Sequence, residues 1–176
     1  MSFCHIIVGA TNTGKSHFVK NLLRKAKSKT AYFIYDVNNE YKEFFPYPFI
    51  GFTEFIKKAT RIERSIMVFE EATIFFNNRS TNEYLYEILV RKKHTGNCVF
   101  LLFHSMRSVP RYIYETSNYI TIFKTNDSPD MSARELKDER LKDIMLKVRN
   151  NTDPKFNHIN KDGTLGSHFC ETLKIY

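Results

Sequence analysis

Phe3-Cys4-His5-Ile6-Ile7-Val8, followed by Gly9-Ala10-Thr11-Asn12-Thr13-Gly14-Lys15-Ser16, is the stretch on which the fold turns. The first six residues are a short, β-rich apolar run. No basic segment precedes them, so they read as a buried strand and not as a signal peptide. The next eight match GxxxxGK[ST], which specifies four positions, and the context agrees because a strand leads in and a helix leads out. Glycines let the backbone curl until its N–H groups face a phosphate, and the helix N-terminus that follows adds a favourable dipole. Lys15 is then placed for the β- and γ-phosphates of a nucleotide and Ser16 for Mg²⁺. Gly9 through Ser16 are therefore the candidate cradle for a nucleoside triphosphate, with ATP as the expected ligand.

Working outward, β-like and helix-like segments alternate as far as residue 125. Helical spacing of Phe18, Val19, Leu22 and Leu23 predicts a helix from Ser16 to about Lys27, with basic residues at the end the dipole favours. Ala31–Val37 reads as a second strand, Glu40–Phe52 as a proline-broken loop and Thr53–Arg64 as a basic helix. Ser65–Phe69 is a third strand. Asn82–Lys93 is a helix stopped near Gly96, and Cys98–Phe103 is a fourth strand. Val109–Ser117 is a short helix with proline in its first turn, and Tyr119–Lys124 is a fifth strand. Near-continuous apolar strands separated by helices predict a mainly parallel five-stranded sheet covered on both faces. The expected class is α/β, a three-layer P-loop NTPase of RecA-like build, with residues 1–125 as the core. Residues 126–176 read as an appendage and not as an independent domain. In it, Ser132-Ala133-Arg134-Glu135 fits a capping box that opens a helix over about 132–150, followed by a turn at Lys161-Asp162-Gly163 and a strand within Phe169–Tyr176.

A phosphate loop needs an acidic partner, and Ile66-Met67-Val68-Phe69-Glu70-Glu71 supplies one: four apolar residues, then two carboxylates. On a strand beside the loop, the first acid falls near the Mg²⁺ shell and the second can polarise water for attack on the γ-phosphate. Glu70 is accordingly the candidate metal-shell residue, through water, and Glu71 the candidate water activator, with the two roles open to exchange.

Taken together, the motif order resembles the FtsK/HerA group of P-loop translocases, which includes viral genome-packaging ATPases. The likeness rests on Gly9–Ser16, on Asp36-Val37-Asn38-Asn39-Glu40-Tyr41, on Glu70-Glu71 and on Arg91 to Phe123, and it covers about residues 3–125. Asn39 stands where that group has glycine, a tolerable exchange because asparagine also visits left-handed backbone. The segment Arg91-Lys92-Lys93-His94-Thr95-Gly96 resembles the group's basic stretch. The run from Leu101 to Pro110 resembles its strand ending in a polar sensor, here His104 in place of the usual glutamine. Ser117-Asn118 opens the last short strand. The resemblance implies a ring in which a neighbouring subunit supplies an arginine finger, with Arg91 first in line, then Arg107, then Arg79.

Composition limits the other readings. The chain has 176 residues, 16 Phe and 10 Tyr, which suffices for a sizeable core. No apolar run is long enough to cross a bilayer. Cys4, Cys98 and Cys170 are scattered and read as reduced thiols of a cytoplasmic protein. The net charge is +8, and residues 1–123 hold 17 Lys/Arg against 10 Asp/Glu, so the surplus sits with the phosphate loop and favours a polyanionic partner. Lys57, Lys58, Arg61 and Arg64 read as one basic helical patch. Phe75 and Phe76 read as packing residues, with Arg79 left open. His158, His168 and Cys170 lack the spacing of a zinc site.

The expected function is an ATP-driven translocase of double-stranded DNA, gripping phosphates without base specificity, working as a homo-oligomeric ring in the host cytoplasm or on the virion. A portal or capsid vertex is the candidate docking partner, and no membrane is expected. The alternatives are a small-molecule kinase, disfavoured by the second acid, and a Zot-like phage assembly ATPase, which would carry a membrane span.

Overall fold

The computed structural model describes residues 2–26, 31–46, 51–77, 79–160 and 162–176; the side chains of Arg79 and Ser80 lie outside the description. In chain order the elements are β1 (Phe3–Val8), α1 (Lys15–Arg24), β2 (Ala31–Tyr35), α2 (Phe52–Ala59), β3 (Ser65–Phe69), α3 (Ala72–Phe76), α4 (Arg79–Thr95), β4 (Cys98–Phe103), α5 (Arg111–Thr116), β5 (Tyr119–Phe123), α6 (Pro129–Leu136), α7 (Arg140–Arg149), β6 (Asn157–Ile159), β7 (Leu165–Ser167) and β8 (Cys170–Lys174).

β1 is apolar except at His5 because it lies inside the sheet, between β4 and β5, with both faces covered. The strand order is β2-β3-β4-β1-β5-β8. The first five strands are parallel. Successive side chains alternate between two cores. Ile6, Val8, Met67, Phe69, Leu101 and Ile122 face a large core closed by α2 through α7. Ile7, Val68, Phe100, Leu102 and Phe123 face a smaller one under Val19 and Leu23 of α1 and Tyr41. Phe75 is fully buried among Tyr35, Phe55 and Phe69, and Phe76 stacks on Phe103, so both aromatics after the acidic pair are packing residues.

Several expected elements come out differently. Among the described residues the sheet has six strands, because β8 pairs antiparallel with β5, Phe123 opposite Cys170 and Tyr119 opposite Lys174. The helix expected over 132–150 is two helices. Ser128 is the true cap, its hydroxyl accepting from the Met131 N–H, and Pro129 occupies the first turn, where its missing N–H costs nothing. Ser132, expected to cap, is 3% exposed inside α6. Lys137 then turns left-handed at φ 55°, which ends α6 and restarts the chain as α7. The basic helix expected to Arg64 stops at Ala59, and Arg64, at φ 52°, donates its N–H to the Thr95 carbonyl. Lys57 and Lys58 therefore share a helix with each other but not with Arg61 and Arg64. The short hairpin β6–β7 was not foreseen as strands.

A buried histidine sits in β1. His5 bonds through Nε2 to Thr121 Oγ1 at 2.7 Å, and burial pulls its pKa from 6.5 down to about 4. The folded protein thus prefers neutral His5, whereas the unfolded chain takes up a proton below pH 6.5. The contribution is complete above pH 6.5, is lost as pH falls toward 4, and is constant below. It amounts to about 3 kcal/mol at most. Urea midpoints measured from pH 7 to 4 should fall, and His5→Gln should flatten that dependence.

Candidate active site

β1 delivers the chain to a loop pinned at its start by the ends of two neighbouring strands. Gly9 N–H donates to the Phe103 carbonyl at 3.1 Å and Ala10 N–H to the Lys124 carbonyl at 3.0 Å. Gly9 has to be glycine, since a Cβ there would fall 2.6 Å from Phe123 Cβ. Thr13 Oγ1 closes the loop by donating to the Ala10 carbonyl. Gly14, at φ 93°, precedes α1 without a side-chain cap, so the first-turn N–H groups are left for a ligand. Lys15 is 8% exposed and folds back over the loop, its Nζ donating to the carbonyls of Gly9 at 2.6 Å and Ala10 at 2.9 Å. Burial brings its pKa down to about 8 against the opposing pull of Glu71, Glu70 and Glu40.

The acidic pair reaches this loop from β3 because β3 and β1 both border β4 and end at the same edge of the sheet. The two carboxylates have different partners. Ser16 Oγ donates to Glu70 Oε1 at 2.7 Å. Glu71 Oε1 lies 2.5 Å from His104 Nε2, and His104 Nδ1 lies 3.4 Å from Lys15 Nζ. His104, at the end of β4, therefore bridges the lysine and the second acid. All of these line one cleft of about 400 Å³, together with Thr11 to Gly14, Lys20, Asn38 and Glu40.

The loop after β2 completes the acidic side. Asp36 accepts the N–H groups of Glu40 at 2.9 Å and Tyr41 at 2.8 Å, and Asn39 takes φ 56°, the left-handed turn for which glycine was the usual residue. That turn sends Tyr41 into the interior, fully buried.

The donors present fit a hydrated Mg²⁺. Glu70 Oε2 and the Tyr41 hydroxyl are both buried without a protein partner, and each such orphan costs about 1–3 kcal/mol unless something else meets it. Both belong to the group around Ser16, and all are hard oxygens of the kind Mg²⁺ and its waters accept. Burial raises the Glu70 pKa to about 7, with Ser16 opposing and the nearby Glu40 and Asp36 adding to the rise. A cation at this point would restore the charged form.

No family model and no curated protein matches the sequence. Solved structures do match the fold. The genome packaging NTPase B204 of Sulfolobus turreted icosahedral virus 2, in complex with ATP-gammaS, superposes with a TM-score of 0.65 at 18% identity over 96% of this chain and 97% of that one. B204 of Sulfolobus turreted icosahedral virus, described as a DNA-packaging ATPase, gives 0.69 at 16% identity over 95% and 97%. The KaiC-like protein PH0186 of Pyrococcus horikoshii gives 0.50 at 13% over 72% and 74%. The fold is that of a P-loop NTPase.

Within this P-loop fold, Glu70, Glu71 and His104 meet Lys15 and Ser16 in one place. Arg91 and Arg107 do not join them. Arg91 lies exposed on α4 in an ion pair with Glu87 at 2.7 Å. Arg107 lies exposed in a 3-10 turn after β4, near Met131. Arg79's side chain falls outside the description. Two parts of the P-loop site escaped sequence reasoning. One is the Tyr41 hydroxyl, since nothing in the tyrosine's position announces that it ends up buried and unpaired. The other is the hairpin end His158-Ile159-Asn160, which lines the same cleft. The turn signal at Lys161-Asp162-Gly163 marked a reversal there, but not where it would dock.

Proposed function

We propose that this chain hydrolyses ATP and couples hydrolysis to movement of double-stranded DNA, as one subunit of a ring that packages a viral genome. One observation carries the reading: Lys15, the Ser16–Glu70 pair and the Glu71–His104 pair share a single cleft at the phosphate loop. The loop amides and Lys15 hold the β- and γ-phosphates. Ser16 and Glu70, with Tyr41 behind them, would hold Mg²⁺, which would neutralise charge on the phosphate oxygens. Glu71 accepts the proton of the attacking water. The water oxygen bonds to the γ-phosphorus, the bond to the β–γ bridging oxygen breaks, and ADP leaves with those electrons. His104 keeps Glu71 aimed through Nε2 and meets the Lys15 ammonium through Nδ1.

Arg91 is the first candidate for a finger donated to the neighbouring subunit, ahead of Arg107 and Arg79. Its exposed pair with Glu87 is the kind worth only about 0–1 kcal/mol, so it exchanges readily for a phosphate. Residues 1–125 carry the motor's reacting groups, and residues 126–176 complete the same core through α6, α7 and β8. The near end-to-end likeness to the packaging proteins and the basic surplus in residues 1–123 support packaging over a kinase. A portal or capsid vertex is the docking partner in this reading, and the host cytoplasm or the virion is the place of work.

The test is Mg²⁺-dependent phosphate release with and without double-stranded DNA, alongside sedimentation with an ATP analogue. The expected results are DNA-stimulated turnover, nucleotide-dependent oligomers, and loss of the stimulated rate in Arg91→Ala. Turnover that requires a small-molecule acceptor, or a strict monomer with nucleotide and DNA present, would sink the motor reading.

A further inference from the structure

The catalytic reading leaves unused an element that rests on the phosphate loop. The β6–β7 hairpin leans against the loop's outer lip, with His158 Nε2 3.0 Å from the Asn12 carbonyl oxygen. Just after it, His168 Cβ lies 3.2 Å from the point where a side chain on Gly14 would begin. The other His158 nitrogen, Nδ1, is buried without a partner. Ile159 and Leu165 are opposite one another in the hairpin register and are 70% and 68% exposed. Ile159 and Asn160 line the phosphate cleft, and Leu165 lines an adjoining cleft of about 490 Å³ that also borders Thr11 to Thr13 and Asn126. Two large aliphatic side chains therefore stand side by side out of the surface, next to the loop.

The direction of a bound nucleotide explains their position. With its γ-phosphate at Lys15, Glu71 and His104, a triphosphate runs along the first turn of α1 and carries its nucleoside away from the acidic end. The hairpin leads into β8, beyond β5, and meets the loop at Asn12, so it flanks the loop on the side away from β3 and β4. We propose that the β6–β7 hairpin is the nucleobase subsite, where the Ile159–Leu165 pair offers an aliphatic face to the base and His158 ties the hairpin to the loop. This deepens the nucleotide reading of the same cleft and rests on it. An aliphatic face excludes water from the flat side of any base but reads none of its edges. The subsite therefore binds nucleotides generally and discriminates weakly among them.

The experiment measures binding by calorimetry, with Mg²⁺, of ATP, GTP and inorganic tripolyphosphate to the unmodified protein and to the double variant Ile159→Ser/Leu165→Ser. Both positions are exposed, so folding is not at stake, and matched thermal unfolding checks this. The expected result is a loss of about tenfold in affinity for ATP and for GTP alike, with tripolyphosphate affinity unchanged. An ATP affinity equal to that of the unmodified protein would overturn the subsite while leaving the phosphate site standing. So would a strong preference of the unmodified protein for one purine triphosphate. If neither ATP nor tripolyphosphate bound the unmodified protein, the phosphate-loop reading would fall and this one with it.

Discussion

Lys15→Ala is expected to lower ATP turnover by about 10³-fold, the cost of removing a charged donor preorganised for the transferring phosphate. The ammonium is already held in place, bonded to the Gly9 and Ala10 carbonyls and within reach of His104, so a ligand gains it without reorganising the site. Its burial has a second consequence. A charge kept 8% exposed at a pKa of about 8 is a net burden on folding when no phosphate balances it. Lys15→Ala should therefore unfold no earlier than the unmodified protein, which separates loss of function from loss of fold. Phosphate release and thermal unfolding, measured on the same preparation, check both halves. Turnover that survives the substitution would remove the basis of the functional reading.

Glu71→Gln carries the second large effect, a fall in turnover of about 10²–10⁴-fold with nucleotide affinity kept. Glutamine preserves the shape and can still bond to His104, but it cannot take a proton from water. Glu70 and Glu71 are adjacent and chemically alike, and the structure separates them by partner, Ser16 for one and His104 for the other. Glu70→Gln should therefore raise the Mg²⁺ concentration needed for binding, whereas Glu71→Gln should not. Titration of Mn²⁺ into the ADP complex, followed by electron paramagnetic resonance, reads this apart from turnover. If both variants shifted the metal equally, the two roles would have to be redrawn.

Elements whose signals are local were legible in the sequence. The runs at Phe3–Val8, Ser65–Phe69 and Cys98–Phe103 were read with the bounds the structure has, because a strand buried on both faces is mostly apolar. Asn39 was read as a left-handed turn residue and takes φ 56°. Errors arose where two local signals competed. Ser132-Ala133-Arg134-Glu135 fits a capping box, but Pro129 at the first helical position starts the helix earlier, with Ser128 as its cap. Nothing at Lys137 marks a break, since a lysine turned left-handed has no composition of its own; the turn is closed by the Lys137 N–H to the Arg134 carbonyl and the Asp138 N–H to the Ala133 carbonyl.

By itself the sequence determined the phosphate loop, the parallel strands behind it and the acidic pair beside it. Each depends on residue types at short spacing: glycines where the backbone must curl, aliphatics where a strand is covered on both sides, carboxylates one residue past a strand. Only the tertiary structure decided that Glu70 faces Ser16 while Glu71 faces His104, that Tyr41 ends up buried with a free hydroxyl, that β8 closes the sheet edge beside β5, and that a hairpin histidine 146 positions downstream rests on Asn12. Those are contacts between distant segments, set by which faces come together once the sheet has formed, and no spacing along the chain encodes them.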